Sequence, residues 1–254
     1  MNSTLIAVIG VACIFGGTLL GLTLQRFLPV HHLSKESHEI VKLGAGMIAT
    51  LTALVLGLLV SSAKGTFDTL STGIKQSGAK LILLDRVLAQ YGSETAPIRE
   101  QLRLAIAARV AEIWPHQGDM QAVDRSRIER GGGIEILQSQ LLQLAPKTDS
   151  QTYVLGQARQ LVADLLGTRW LLIEESQNQL PIPFLVVVLF WLTVLFASFG
   201  LFAPRNVTVM AVLFVCACSV SAAIFLILEM NQPLTGTLKV SNAPMLKALE
   251  LMGR

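Results

Sequence analysis

Apolar and polar positions along this chain separate first into long blocks. Four stretches carry no charged side chain: Leu5–Leu24, Leu43–Ala63, Ile182–Ala203 and Val207–Leu228, of 20, 21, 22 and 22 residues. A helix needs about 20 apolar residues to cross the hydrocarbon core. The pattern predicts four membrane-spanning helices, two before and two after a polar segment at 64–179. The domains expected are residues 1–63 (spans one and two with a short polar loop), 64–179 (soluble), 180–228 (spans three and four) and a tail, 229–254. The first run has no basic residue ahead of it and exceeds the usual length of a signal-peptide core. It is read as an uncleaved span.

Within 64–179 the period becomes helical. Pro97 suits the first turn of a helix over Ile98–Trp114, with Leu102, Ile106, Val110 and Ile113 at steps of three and four. Pro115-His116 ends it. Gly118 and Gly131-Gly132-Gly133 mark residues 116–133 as loop, and a helix follows over Ile134–Leu144. The last starts at Asp149-Ser150, either of which can cap it, with Val154, Ala158, Leu161, Leu165, Thr168 and Leu172 on a heptad seam. No strand-like alternation of useful length occurs, so the fold class is all-α: a polytopic membrane protein with a helical soluble domain inserted between spans two and three. The tail predicts a short amphipathic helix after Asn242 with Met245, Leu246, Leu249 and Met252 grouped. It suits the membrane surface or the soluble bundle equally.

The second span and the soluble segment share a pattern. Phe67, Leu70, Ile74, Ser77, Leu81, Leu84, Leu88 and Tyr91 form a coiled-coil seam. The same register runs back into the membrane through Ala63, Val60, Leu56, Ala53, Ala49 and Gly46. Seam residues are mostly small in lipid, where close helix packing needs them. They are mostly large in water, where burial gains about 25 cal/mol per Å². One continuous helix from about Leu43 to Tyr91 is expected, some 70 Å long, with glycines at 57, 65, 73 and 78 as candidate kinks. It is either a stalk or pore helix, or a long helix packed in a monomer's bundle. Gly17/Gly21 in the first span, and Ala217/Ser221, Cys218/Ala222 and Ser219/Ala223 in the fourth, are small-xxx-small pairs that predict a packed bundle.

Composition agrees: 52% of residues are hydrophobic and 15% charged, against roughly a quarter charged in soluble proteins. The net charge is +3, yet the soluble segment has 13 Lys/Arg and 13 Asp/Glu. The surplus sits beside the spans, where it meets lipid phosphates. A nucleic-acid partner is not expected; the lipid bilayer, other copies of this chain and ions are. Lys/Arg near the span ends number six on the large-segment face (Lys64, Lys75, Lys80, Arg169, Lys239, Lys247) and four on the other (Arg26, Lys35, Lys42, Arg205). The positive-inside rule then puts the N-terminus, soluble segment and tail in the cytoplasm.

Candidate chemistry is sparse. Cys13, Cys216 and Cys218 all lie in spans, so the soluble segment has no disulfide framework and no cysteine zinc site. His31, His32 and His38, with Glu36 and Glu39, match no standard metal spacing; no metal and no cofactor is expected. Ser61-x-x-Lys64 and Ser77-x-x-Lys80 match a serine–lysine pattern without its companion motifs, and no nucleophile–base set, Walker A or dinucleotide motif is present. The protein is not expected to be an enzyme. No span contains a charge, which disfavours a proton pump but leaves room for a channel with an apolar constriction. Lys64, Arg205 and Glu229 are the expected polar residues at the membrane interface.

The last two spans carry a resemblance. Ser198-Phe199-Gly200-Leu201-Phe202-Ala203-Pro204-Arg205-Asn206-Val207-Thr208-Val209 is followed by Ser219-Val220-Ser221-Ala222-Ala223-Ile224-Phe225-Leu226-Ile227-Leu228-Glu229-Met230-Asn231-Gln232-Pro233. Leu234-Thr235-Gly236 and Val240-Ser241 complete the run. It resembles the bestrophin-like family of bacterial membrane proteins, a domain family of unknown function. Leu54-Val55-Leu56-Gly57-Leu58-Leu59-Val60 and the stretch from Lys64 to Phe67 resemble it too. Ser77-Gly78-Ala79 departs from the family's usual glutamate-alanine, so no role of that glutamate carries over. The resemblance implies a distant likeness to bestrophins, pentameric anion channels with four spans per subunit. No calcium-binding acidic cluster is recognisable. On this reading the chain is a homo-oligomeric anion channel of the bacterial inner membrane, with Leu51, Leu54, Leu58 and Ser61 lining the pore. The rival is a non-conducting scaffold or sensor whose second helix couples bilayer to cytoplasm.

Overall fold

A computed structural model describes residues 3–29, 34–114, 133–177, 182–204, 206–234 and 236–252. Among these, every regular element is helical: α1 (Ser3–Phe27), α2 (Lys35–Tyr91), a single 3-10 turn (Ser93–Thr95), α3 (Ala96–Ile113), α4 (Gly133–Gln143), α5 (Asp149–Gln177), α6 (Ile182–Phe202), α7 (Val207–Met230) and α8 (Ala243–Leu251). Four of them, α1, α2, α6 and α7, are long and apolar enough to cross a membrane. The chain divides into two compact units, Met1–Gly65 with Gln179–Asn231, and Thr66–Asn178 with Gln232–Arg254.

In the first unit α1 lies closest to α6 and next to α7. Glycine makes this possible. A Cβ on Gly17 would fall 2.5 Å from the Thr193 carbonyl oxygen, and one on Gly21 or Gly200 would collide with the backbone of Ala197 or Thr18. The GxxxG of the first span thus meets α6, bringing the helices to backbone contact, where dispersion rather than hydrophobicity holds them in lipid. Of the three small pairs in α7, Ala217/Ser221 is buried, with Ser221 against Gly10. Ala222, Ser219 and Ala223 face outward. Asn206 begins α7 by accepting the Thr208 backbone N–H at 3.1 Å, as helix N-caps do.

The second unit is built on the seam expected in water. Leu70, Ile74, Leu81, Leu84, Leu88 and Tyr91 of α2 are buried. From Leu81 on they share one core with Ile98, Leu102, Ile106 and Val110 of α3, Leu137 and Leu141 of α4 and Val154, Ala158 and Leu165 of α5. Gly92, at φ +133°, lets the chain leave α2 where a side chain would be strained. Ala248 and Met252 of the tail belong to the same core, and Trp114 Nε1 donates to the Val240 carbonyl at 2.9 Å. The tail therefore packs on the helical bundle.

Two sequence expectations shift. The segment expected as a loop up to Lys42 is helical from Lys35: Ser34 Oγ accepts the Ser37 N–H at 3.3 Å as a cap, and Glu36 stands in the first turn, where a carboxylate suits the helix dipole. In α5 the buried set includes Leu155, Val162 and Ile173, while Thr168 and Leu172 are half-buried. A straight helix rotates a heptad stripe by about 20° per repeat, so a strict seven-residue reading loses the core face over four turns. Of the stretch expected as loop, 116–133, residues 116–132 lie outside the described residues, and Gly133 already opens α4.

Candidate functional site

The helix singled out by the sequence is α2, 57 residues without interruption and about 85 Å of helix at 1.5 Å per residue. Its apolar span is also the least covered. Only 6% of that stretch is buried, against 22–28% in the other three spans. What contact α2 does make in the first unit runs through Ala45, Ile48, Val55, Leu56 and Leu59, with Thr52 buried and its hydroxyl returned to the Ile48 carbonyl at 2.7 Å.

That line differs from the small-residue register expected in lipid. Ala63 and Leu56 lie on or beside it, but Gly46, Ala49, Ala53 and Val60 are exposed in the single chain. The cause is the same drift as in α5. Extended back from Phe67 by three heptads, a 3.5-residue stripe moves about 60° off a 3.6-residue helix. The face used by the chain's own bundle is thereby displaced by one residue. In the second unit Phe67 is half-buried, and Leu70 and Ile74 are buried as expected.

The proposed pore residues stand away from the packing line. Leu51, Leu54 and Leu58 are 48%, 61% and 63% exposed, and Ser61 is exposed with them. The three leucines offer only apolar surface, and Ser61 adds a single hydroxyl. Such a stripe can pack against apolar side chains or bound an apolar passage. Lys64, one turn beyond Ser61, is exposed. Glu229 is 5% exposed in the last turn of α7, between Leu228 and Met230. Arg205, His31 and His32 lie outside the described residues. His38 is placed with its ring 4.3 Å from that of Phe202, a contact that sequence spacing could not show because it joins α2 to α6.

The second unit holds a separate cavity of about 350 Å³ against Leu70, Ile74 and Leu81 of α2. Its charged groups are matched pairwise: Arg109 with Glu112 at 2.9 Å, and Arg169 with Glu135. Elsewhere in that unit the buried Asp85 carboxylate receives Nε and Nη2 of Arg99 at 2.7 and 2.8 Å. This hydrogen bonding holds the Arg99 guanidinium above its ordinary pKa, against the opposing effect of burial. These pairs brace helices.

The family model for the bestrophin-like domain matches residues 12–245, from the first span into α8. The chain belongs to the bestrophin-like family. No curated protein and no solved structure matches it. The uncovered span and residues 66–178 of the second unit of this bestrophin-like chain lie inside the matched region. With four helices able to cross a bilayer, the bestrophin-like chain is a membrane protein.

Proposed function

We propose that this protein is a homo-oligomeric channel of the bacterial inner membrane that conducts anions, with α2 of each copy facing a common axis. The reading rests on the uncovered state of the α2 span. Exposure to lipid alone demands no partner, because lipid tails are as apolar as leucine. Glycine does demand a reason. Where α1 and α6 touch, glycines are filled to contact. On α2, a Cβ at Gly44, Gly57 or Gly65 would meet nothing within 4 Å. Glycine costs a helix about 1 kcal/mol relative to alanine, and close approach of another copy supplies the return.

A ring of such helices, five on the family likeness, would surround an apolar passage at Leu51, Leu54 and Leu58 with Ser61 and Lys64 at one mouth. An apolar constriction gates by dewetting, and cations at a mouth favour anions. The protein acts by passage rather than by catalysis. On this reading the second unit is the water-facing domain between spans two and three, and six Lys/Arg against four support a cytoplasmic side for it and for both termini. Purified protein in chloride-loaded liposomes tests conduction. Chloride efflux is expected, faster for Leu54→Ala with Leu58→Ala and blocked by Leu54→Trp. Efflux equal to that of empty liposomes, for wild type and variants alike and across voltage and pH, would refute it in favour of a non-conducting scaffold.

A further inference from the structure

Where α2 enters the first unit, it encloses with α6 and α7 a crevice of about 550 Å³, within the roughly 300–1,000 Å³ typical of small-molecule sites. His38 and Lys42 stand at one end. Ala45, Gly46 and Ala49 continue down the same wall, and Phe199 and Phe202 face them. The opening is a consequence of side-chain size. Three small residues in succession leave a channel where leucines would have met α6, and a Cβ on Gly46 would still touch nothing within 4 Å.

The chemistry changes along the crevice in the same order as a bilayer leaflet. Lys42 is the last charge before the uncharged run that begins at Leu43, so it lies at headgroup depth. Ala49 comes seven residues later, about 10 Å deeper at 1.5 Å per residue, among acyl chains. The His38 ring, held against Phe202 at 4.3 Å, keeps an imidazole beside the lysine. Lys42 is exposed and has no carboxylate partner among the described residues. A cation above an apolar slot matches a molecule with a phosphate above a hydrocarbon chain, and charge-assisted hydrogen bonds to phosphate are the strong kind.

We propose that this crevice is a binding site for an anionic phospholipid, with its phosphate between Lys42 and His38 and one acyl chain laid along Ala45, Gly46 and Ala49. A second copy of the chain fits the crevice less well, since filling it with apolar side chains would leave Lys42 without an anion. The site is independent of whether the protein conducts.

Native mass spectrometry of the full-length protein, incubated with phosphatidylglycerol or with phosphatidylcholine of identical chains, tests it. Wild type is expected to retain phosphatidylglycerol preferentially. Lys42→Gln should lower that preference about five-fold, the worth of one lysine near a lipid phosphate. Lys35→Gln, outside the crevice, should leave it unchanged. Ala49→Phe, which fills the slot, should reduce retention of both lipids, with circular dichroism confirming that it folds. Equal retention of the two lipids by wild type, or a preference untouched in Lys42→Gln, would overturn the proposal. So would an Ala49→Phe protein that changes its subunit number while keeping its lipid, because a neighbouring copy would then be the occupant.

Discussion

Asp85 is 1% exposed, and both of its oxygens are held by the Arg99 fork at 2.7 and 2.8 Å, joining α2 to α3. Placing a carboxylate in a core is costly, and the guanidinium offsets that cost only while it stays in place. Removing one partner of a buried pair typically costs 3–5 kcal/mol. Asp85→Ala should therefore lower stability by about 3 kcal/mol, and Asp85→Leu combined with Arg99→Met should recover most of the loss. Urea unfolding followed by circular dichroism checks both, and a single variant as stable as wild type would contradict the pair's role. The raised Arg99 pKa fixes the alkaline side. Stability from a raised cation is fully present below its unfolded value and is lost only as pH climbs through the folded one. For an arginine this loss lies far into the alkaline range, so the Arg99 contribution should persist unchanged from neutral to pH 10. The pair was invisible in the sequence because fourteen residues and a turn separate its members. Nothing in the periodicity marks Asp85 as facing inward, although it falls between the buried Leu84 and Leu88.

At the scale of the element, α2 shows what a hydrophobic pattern can and cannot fix. Its continuity and its water-side core were legible, since Leu70, Ile74, Leu81, Leu84 and Leu88 stand out among polar neighbours. In the span every residue is apolar or small, so the pattern has no contrast, and register can only be extrapolated. The extrapolation drifts, and the chain's own contacts come through Ile48, Thr52, Val55 and Leu59. The crevice at His38 and Lys42 escaped for another reason: the helix begins eight residues earlier than the apolar run, at a serine cap. The glycines on the uncovered side allow a discriminating substitution. Gly57 has no neighbour within 4 Å in the single chain, so a lone subunit should accept Gly57→Leu without loss of helicity or thermal stability. Between copies the added side chain should push helices apart and reduce the oligomeric fraction on size-exclusion chromatography. Gly200→Ala is the intrachain control. It meets the Thr18 backbone and should destabilise the subunit by about 1–3 kcal/mol, as overpacking does. A Gly57→Leu protein with unchanged oligomer size would put that face of α2 against lipid.

For the whole molecule, four uncharged runs and the helical period between them were enough to predict an all-helical membrane protein, and among the described residues every regular element is helical and four helices are long and apolar enough to cross a membrane. The sequence could not show that the tail closes the helical unit, because Met245, Leu249 and Met252 suit a membrane surface as well as a core. The Trp114–Val240 hydrogen bond and the burial of Ala248 decide it. Nor does apolarity alone distinguish a span that faces lipid from one that faces copies of itself, since both are leucine-rich. The central claim, that the uncovered α2 faces other α2 helices around an axis, is tested most directly by counting subunits. Mass photometry of the protein in nanodiscs should give a closed ring, five copies on the family likeness. A single 27.4 kDa chain per disc, after correction for lipid and belt protein, would contradict it.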